Sequence, residues 1–244
     1  MDVCVFVGPT LSREPLPAGI VRYGPAALGS IVRAVEAGHR RIGLVDGYFG
    51  DVPAVWHKEI LYALSAGIEV VGAASMGALR AAELHSLGMV GLGRIFRMFR
   101  SGAWSDDDEV ALIHAAEPFD FAPLSEPMAN IRMTLRALTR SREIDAATER
   151  ALVARMKAIH FSARTVDALR GHCAEALGEP SAVRVVRAFE ARHVDVKRAD
   201  AWLLVNYLRD ARIRAKPHAL PAFASTIHWR RQFETLSGDV PPLH

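Results

Sequence analysis

Three short apolar runs, each closed by a glycine-containing turn and followed by a stretch with helical spacing, constrain this chain most. Residues 3–7 run into Gly8-Pro9-Thr10, residues 41–46 into Gly47, and residues 68–71 into Gly72-Ala73-Ala74-Ser75. Between them, residues 26–37 place Leu28, Ile31, Val32 and Val35 at helical intervals and stop at Gly38. Asp51-Val52-Pro53 reads as the start of a second helix, carrying Trp56, Ile60, Leu61 and Leu64 inward and ending at Gly67. A third helix is expected from the Ser75 turn to about residue 87. Strands that are apolar along their whole length belong to a parallel sheet covered on both faces.

The expected fold is therefore α/β, with an N-terminal parallel-sheet, Rossmann-like core over residues 1–122. A helical region follows over residues 123–244, since Pro118, Pro123 and Pro127 mark a boundary and amphipathic helices follow near 131–138, 152–159 and 202–213. In parallel sheets ligands bind beyond the carboxyl ends of the strands. One rim carrying Thr10, Asp46 and Ser75 is thus expected.

Composition narrows the class. At 244 residues, with 50% apolar and 23% charged residues, the chain reads as globular. No run of about 18 apolar residues exists to span a bilayer. Residues 2–7 lack the basic stretch and cleavage site of a signal peptide. No membrane association and a cytoplasmic location are the expectation. Cys4 and Cys173 form neither a metal spacing nor a disulfide framework. Residues 1–122 hold 10 Lys/Arg against 14 Asp/Glu (net −4), and the rest holds 20 against 13 (net +7). The basic half lacks interleaved aromatics, so no nucleic-acid partner is expected.

Ser75 lies in Ala73-Ala74-Ser75-Met76-Gly77, a small-x-Ser-x-small pattern. A sharp strand-to-helix bend projects such a hydroxyl, and small neighbours let the backbone approach. The first helical amides, at Met76 and Gly77, with Gly8, are candidates to stabilise an oxyanion. An ordinary helix N-cap fits the same residues. A nucleophile needs a base; His57, His85 and His114 have no context that marks one, and a Ser–Lys pair is the other solution. The chain has 26 arginines and four lysines, and Lys58 is the only lysine before residue 123. Its pKa would have to fall roughly 3 units to serve near neutrality, about 4 kcal/mol. A solvated helix lysine is the alternative. Asp46 is placed to orient Lys58 or a loop amide, or to cap its own Gly47 turn, and Thr10 to donate to substrate or finish a turn. Arg80 can hold an anion or pair with Glu83. The run Asp106-Asp107-Asp108-Glu109 reads as a helix start, since acids favour a first turn, and no metal or cofactor is expected.

These stretches resemble the TfuA family. The likeness rests on Val5-Phe6-Val7-Gly8-Pro9-Thr10-Leu11, Ile42-Gly43-Leu44-Val45-Asp46-Gly47-Tyr48-Phe49, and Val52-Pro53-Ala54-Val55-Trp56-His57-Lys58-Glu59. Gly72-Ala73-Ala74-Ser75-Met76-Gly77-Ala78-Leu79-Arg80 and Asp106-Asp107-Asp108-Glu109-Val110 extend it over roughly residues 3–130. The resemblance implies a partner of YcaO enzymes in peptide thioamidation, one that releases sulfide from a thiocarboxylated ThiS-like carrier and helps YcaO engage its peptide. It also implies a Ser–Lys pair, which maps onto Ser75 and Lys58, with hydroxyl and amine expected within roughly 2.6–3.2 Å. A non-catalytic adaptor that activates YcaO, or an esterase without a protein partner, would use the same residues structurally or on a small molecule.

Overall fold

In the computed structural model, which describes residues 2–50, 52–213 and 223–234, the expected α/β architecture is present. Five parallel strands form one sheet: β1 (Val3–Phe6), β2 (Ile20–Tyr23), β3 (Arg41–Leu44), β4 (Glu69–Gly72) and β5 (Val90–Gly91), in the order β2-β1-β3-β4-β5. Phe6 pairs with Leu44, and Leu44 with Gly72. The turns after β1, β3 and β4 therefore leave the sheet along one edge, as the apolar runs implied. Strands β2 and β5 carry weaker apolar signatures and were not anticipated.

The intervening helices are α1 (Ser30–Glu36), α2 (His57–Ser65), α3 (Met76–Leu84) and α4 (Gly93–Arg100). Their inner residues, including Ile31, Ile60, Ala78, Ala81 and Ile95, join Cys4, Phe6, Ile42, Leu44 and Val70 in one core. The second helix starts later than expected. Trp56 is its extended N-cap and Glu59 bonds back to the Trp56 amide, while residues 52–56 are irregular and Asp51 lies outside the described residues. Trp56, expected inward, is 38% exposed.

Five longer helices follow: α5 (Met128–Arg140), α6 (Ala146–Ala158), α7 (Val166–Leu177), α8 (Glu179–Ala191) and α9 (Val196–Arg209), with a single turn at Ile227–Trp229 beyond them among the described residues. Residues of α5–α8 build a separate apolar cluster around Met128, Leu135, Leu152, Leu169 and Phe189. Helix α9 instead lies on the sheet, where Ala201, Leu204, Val205 and Leu208 pack on Val5, Val7, Val45 and Val71. Arg41 fastens its far end, bonding Glu69 at 2.6 Å and the Leu208 carbonyl at 2.8 Å.

The acidic run does not start a helix. Asp107–Glu109 is a single 3-10 turn, and its carboxylates are held by residues from α5, α6 and the segment after α6. Lys157 bonds Asp106, Asp108 and Glu109. Arg164 grips Asp108, and Arg132 clasps Glu109 through two bonds of 2.8 Å. Cations already neutralise the run, and among the described residues no His/Cys/Asp/Glu group is arranged to hold a metal. No helix among them is long and apolar enough to cross a membrane.

Candidate active site

The bend after β4 is strained and tightly packed. Ala74 has φ +67, a conformation that costs a residue with a Cβ roughly 1–2 kcal/mol. Ser75 follows at φ −118, ψ −124 and occupies the N-cap position of α3. A capping serine normally accepts a hydrogen bond from an amide two or three residues on. Here the side chain makes no capping bond; the amides of Ala78 and Leu79 bond the Ser75 backbone carbonyl instead. Ser75 is 2% exposed and lines a cavity of about 470 Å3. A hydroxyl left out of capping, beside a cavity, is available for chemistry.

Two glycines make the bend possible. A Cβ on Gly77 would lie 1.7 Å from the Leu44 carbonyl oxygen, and one on Gly72 would lie 2.1 Å from the Gly77 carbonyl oxygen. Helix α3 can thus start directly against the ends of β3 and β4. That closeness uses up an expected oxyanion donor, because the Gly77 amide bonds the Val45 carbonyl at 3.1 Å. The Gly8 amide is also spent, donating to Asp46 Oδ2 at 2.9 Å. Met76, next to Ser75 in the chain, carries the first amide of α3, which has no acceptor within the helix. Its side chain packs inward over Gly47, where an added Cβ would meet Met76 Cγ at 2.9 Å.

Asp46 organises the rim. Its Oδ2 accepts the Gly8 and Thr10 amides at 2.9 and 3.0 Å, and its Oδ1 accepts the Thr10 hydroxyl at 2.6 Å. Thr10 therefore finishes the β1 turn, with both its amide and hydroxyl bound to Asp46, rather than facing a substrate. Asp46 and Gly47 line the same cavity as Ser75. Asp46 orients loop amides, one of its three anticipated roles, but it does not orient Lys58.

Lys58 is elsewhere. Its Nζ donates to Thr226 Oγ1 at 2.8 Å and lies 5.6 Å from the centre of the Phe223 ring. It is not among the residues lining the Ser75 cavity. The helical phase of α2 explains this. Glu59, Ile60, Ala63 and Leu64 take the buried face, which turns the neighbouring Lys58 outward to the chain's later segment. Arg80 also faces away: Nε bonds the Val55 carbonyl and NH1 bonds Glu83, the alternative weighed from its spacing. It lines a second cavity of about 790 Å3 with Met76, Glu83 and Asp106–Asp108, which shares Tyr48, Phe49 and Gly50 with the first.

The cavity holds a lysine that sequence reading passed over. Lys197, on the first turn of α9, is 3% exposed and lines the cavity with Ser75 and Asp46. Its Nζ donates to the Val110 carbonyl at 2.9 Å and lies 4.0 Å from Asp46 Oδ1. Burial pushes its pKa down, against the opposing pull of Asp46, Asp195 and Glu126. A signal was present: Lys197 stands in helical register with Ala201, Leu204, Val205 and Leu208, on the stripe that α9 buries. The outer wall comes from residues 110, 112–114 and 160–162, including His114 and His160.

A search of curated proteins finds no match. A protein-family model described as "TfuA-like protein" matches residues 46–165, which include Asp46, Ser75 and much of the cavity wall. TfuA-like proteins are associated with YcaO enzymes and the thioamidation they carry out. By that match, residues 46–165 of this chain form a TfuA-like domain.

Proposed function

We propose that this protein hydrolyses a thiocarboxylated, ThiS-like sulfur carrier at Ser75 and supplies the sulfide to a YcaO enzyme modifying a peptide. The observation that carries this reading is Ser75 itself: a buried serine beside a cavity, after a strained Ala74, with its hydroxyl not engaged in capping. Strain of that kind persists where the surrounding structure enforces it, commonly at reactive sites.

In the proposed reaction Ser75 Oγ attacks the thiocarboxylate carbon and the Met76 amide faces the developing oxyanion. The C–S bond breaks, sulfide leaves with the serine proton, and an acyl-serine remains. Water then cleaves the acyl–oxygen bond, returning the serine and a carrier carboxylate. The sum is thiocarboxylate plus water giving carboxylate plus hydrogen sulfide.

Sulfide release from a thiocarboxylated ThiS-like carrier, measured for wild type and Ser75→Ala, tests the reading. Loss of at least 100-fold in Ser75→Ala, with thermal stability retained, is the expected result. Unchanged release would sink it. If neither protein releases sulfide while both still stimulate YcaO, the chain is an adaptor.

A further inference from the structure

We propose that the groove between α4 and α5 is a docking surface for an acidic, amphipathic helical segment of a protein partner. This goes beyond the reading of Ser75 and does not depend on it.

The groove encloses about 590 Å3, lined by Arg94 and Met98 of α4 and by Met133, Arg136, Ala137 and Arg140 of α5. Three cations line it and no carboxylate does. It has no lining residue in common with the Ser75 cavity. Helical phase builds it on both sides. Helix α4 buries Ile95, Phe96 and Phe99, which leaves Arg94, Arg97 and Arg100 exposed. Helix α5 buries Ile131, Thr134, Leu135 and Leu138, which turns Met133, Arg136, Ala137 and Arg140 to the groove.

The arginines are available to a partner. Among the described residues Arg94 and Arg140 make no ion pair; the Arg94 guanidinium has only the Met133 sulfur at 3.6 Å, a weak acceptor. Asp200, the acid behind Arg94, is spent on the Arg94 and Ile95 amides, both at 2.8 Å. Arg136 meets Glu149 through one contact of 3.5 Å, which leaves the rest of its five-donor fork open. Arg136 and Arg140 stand one turn apart, a spacing at which like charges oppose helix formation. An acidic partner relieves that repulsion.

The apolar floor selects the kind of partner. Met98 and Met133 are half-buried, and flexible thioethers adapt to aliphatic side chains. No aromatic ring lines the groove for a nucleic-acid base to stack on. A bilayer is flat, whereas these cations line a concavity. Carboxylates one turn apart on a partner helix match Arg136 and Arg140, about 6 Å apart along α5. Aliphatic side chains from the same face then rest on the methionines, with Arg94 across the groove.

The probe is a dye-labelled peptide of about 15 residues, roughly 22 Å as a helix, with Glu and Leu patterned onto one side. Its binding to the full chain, read by fluorescence anisotropy, is compared with a scrambled peptide of the same composition, with oligothymidylate and with phosphatidylcholine–phosphatidylserine vesicles. The patterned peptide should bind at least about 10-fold tighter than the scrambled one. Arg94→Glu and Arg140→Glu should each weaken it at least about 10-fold, and Met133→Gln about 3-fold. Arg187→Glu, the same charge change at an exposed site on α8, should stay within about 2-fold of wild type. The proposal is overturned if wild type does not bind the patterned peptide, or binds the scrambled one equally well. Unchanged binding in folded Arg94→Glu and Arg140→Glu would also overturn it, as would tighter binding of oligothymidylate or vesicles than of peptide. The comparisons on wild type decide without any variant. Ser75→Ala should bind the peptide as wild type does, so docking and sulfide release fail separately.

Discussion

Gly77, in the first turn of α3, lies so close to the end of β3 that a Cβ on it would lie 1.7 Å from the Leu44 carbonyl oxygen. The contact is with backbone, which cannot rotate aside. Gly77→Ala should therefore displace the helix or prevent folding, with a loss of about 3 kcal/mol or more in denaturant unfolding. An Ala variant of wild-type stability would show that α3 approaches less closely.

Asp46 carries three buried hydrogen bonds, and its replacement separates loop positioning from charge. Asp46→Asn presents an NH2 group to donors, and about 2–3 kcal/mol of stability should be lost as buried amides go unmatched. Thr10→Val removes only the 2.6 Å hydroxyl bond and should cost nearer 1 kcal/mol.

Glu59, wholly buried beneath α1 and α2, is pushed by burial from 4.5 to about 7, against the Trp56, Gly29 and Ile31 amides and Arg33. Below pH 4.5 this carboxyl is protonated in both folded and unfolded chains. Between 4.5 and 7 the folded chain keeps a proton that the unfolded chain releases. Its contribution to stability is thus full below 4.5 and falls as pH rises to about 7, by roughly 3 kcal/mol at 1.36 per unit. A 13C titration of Glu59 should show a midpoint near 7. Wild type should lose stability relative to Glu59→Gln across that window. A midpoint at the ordinary carboxylate value would contradict this.

Arg164 is 1% exposed and joins the chain after α6 to the acidic turn, bonding Asp108 Oδ2 at 2.5 Å and the Asp108 carbonyl at 2.7 Å. Removing one partner of a buried pair leaves the other uncompensated. Arg164→Leu should cost about 3–5 kcal/mol, read by thermal or denaturant unfolding. Adding divalent metal should not restore it, since Lys157 still neutralises the turn.

Strands β1, β3 and β4 and the Ser75 bend were legible because each is written locally: an unbroken apolar run, a cluster of small residues, a helical stripe behind it. Helix α3 follows from the small residues at its start, but Gly77, expected as an oxyanion donor, instead bonds the Val45 carbonyl. The position of Lys58 was harder, because a shift of one residue in a helix turns a side chain by about 100°. Starting α2 at His57 sends Glu59 inward and Lys58 out. Strand β2 was hidden because its residues are mostly only partly buried.

By itself, then, the chain's pattern determined the parallel sheet, its rim of turns and a serine with space around it, since nearest neighbours and periodicity decide those. Which lysine lines the cavity beside that serine was decided only in the tertiary structure. Lys197 reaches the rim because α9, far along the chain, buries its apolar stripe on the open face of the sheet. Long-range packing of that kind leaves no local mark on residues near Ser75.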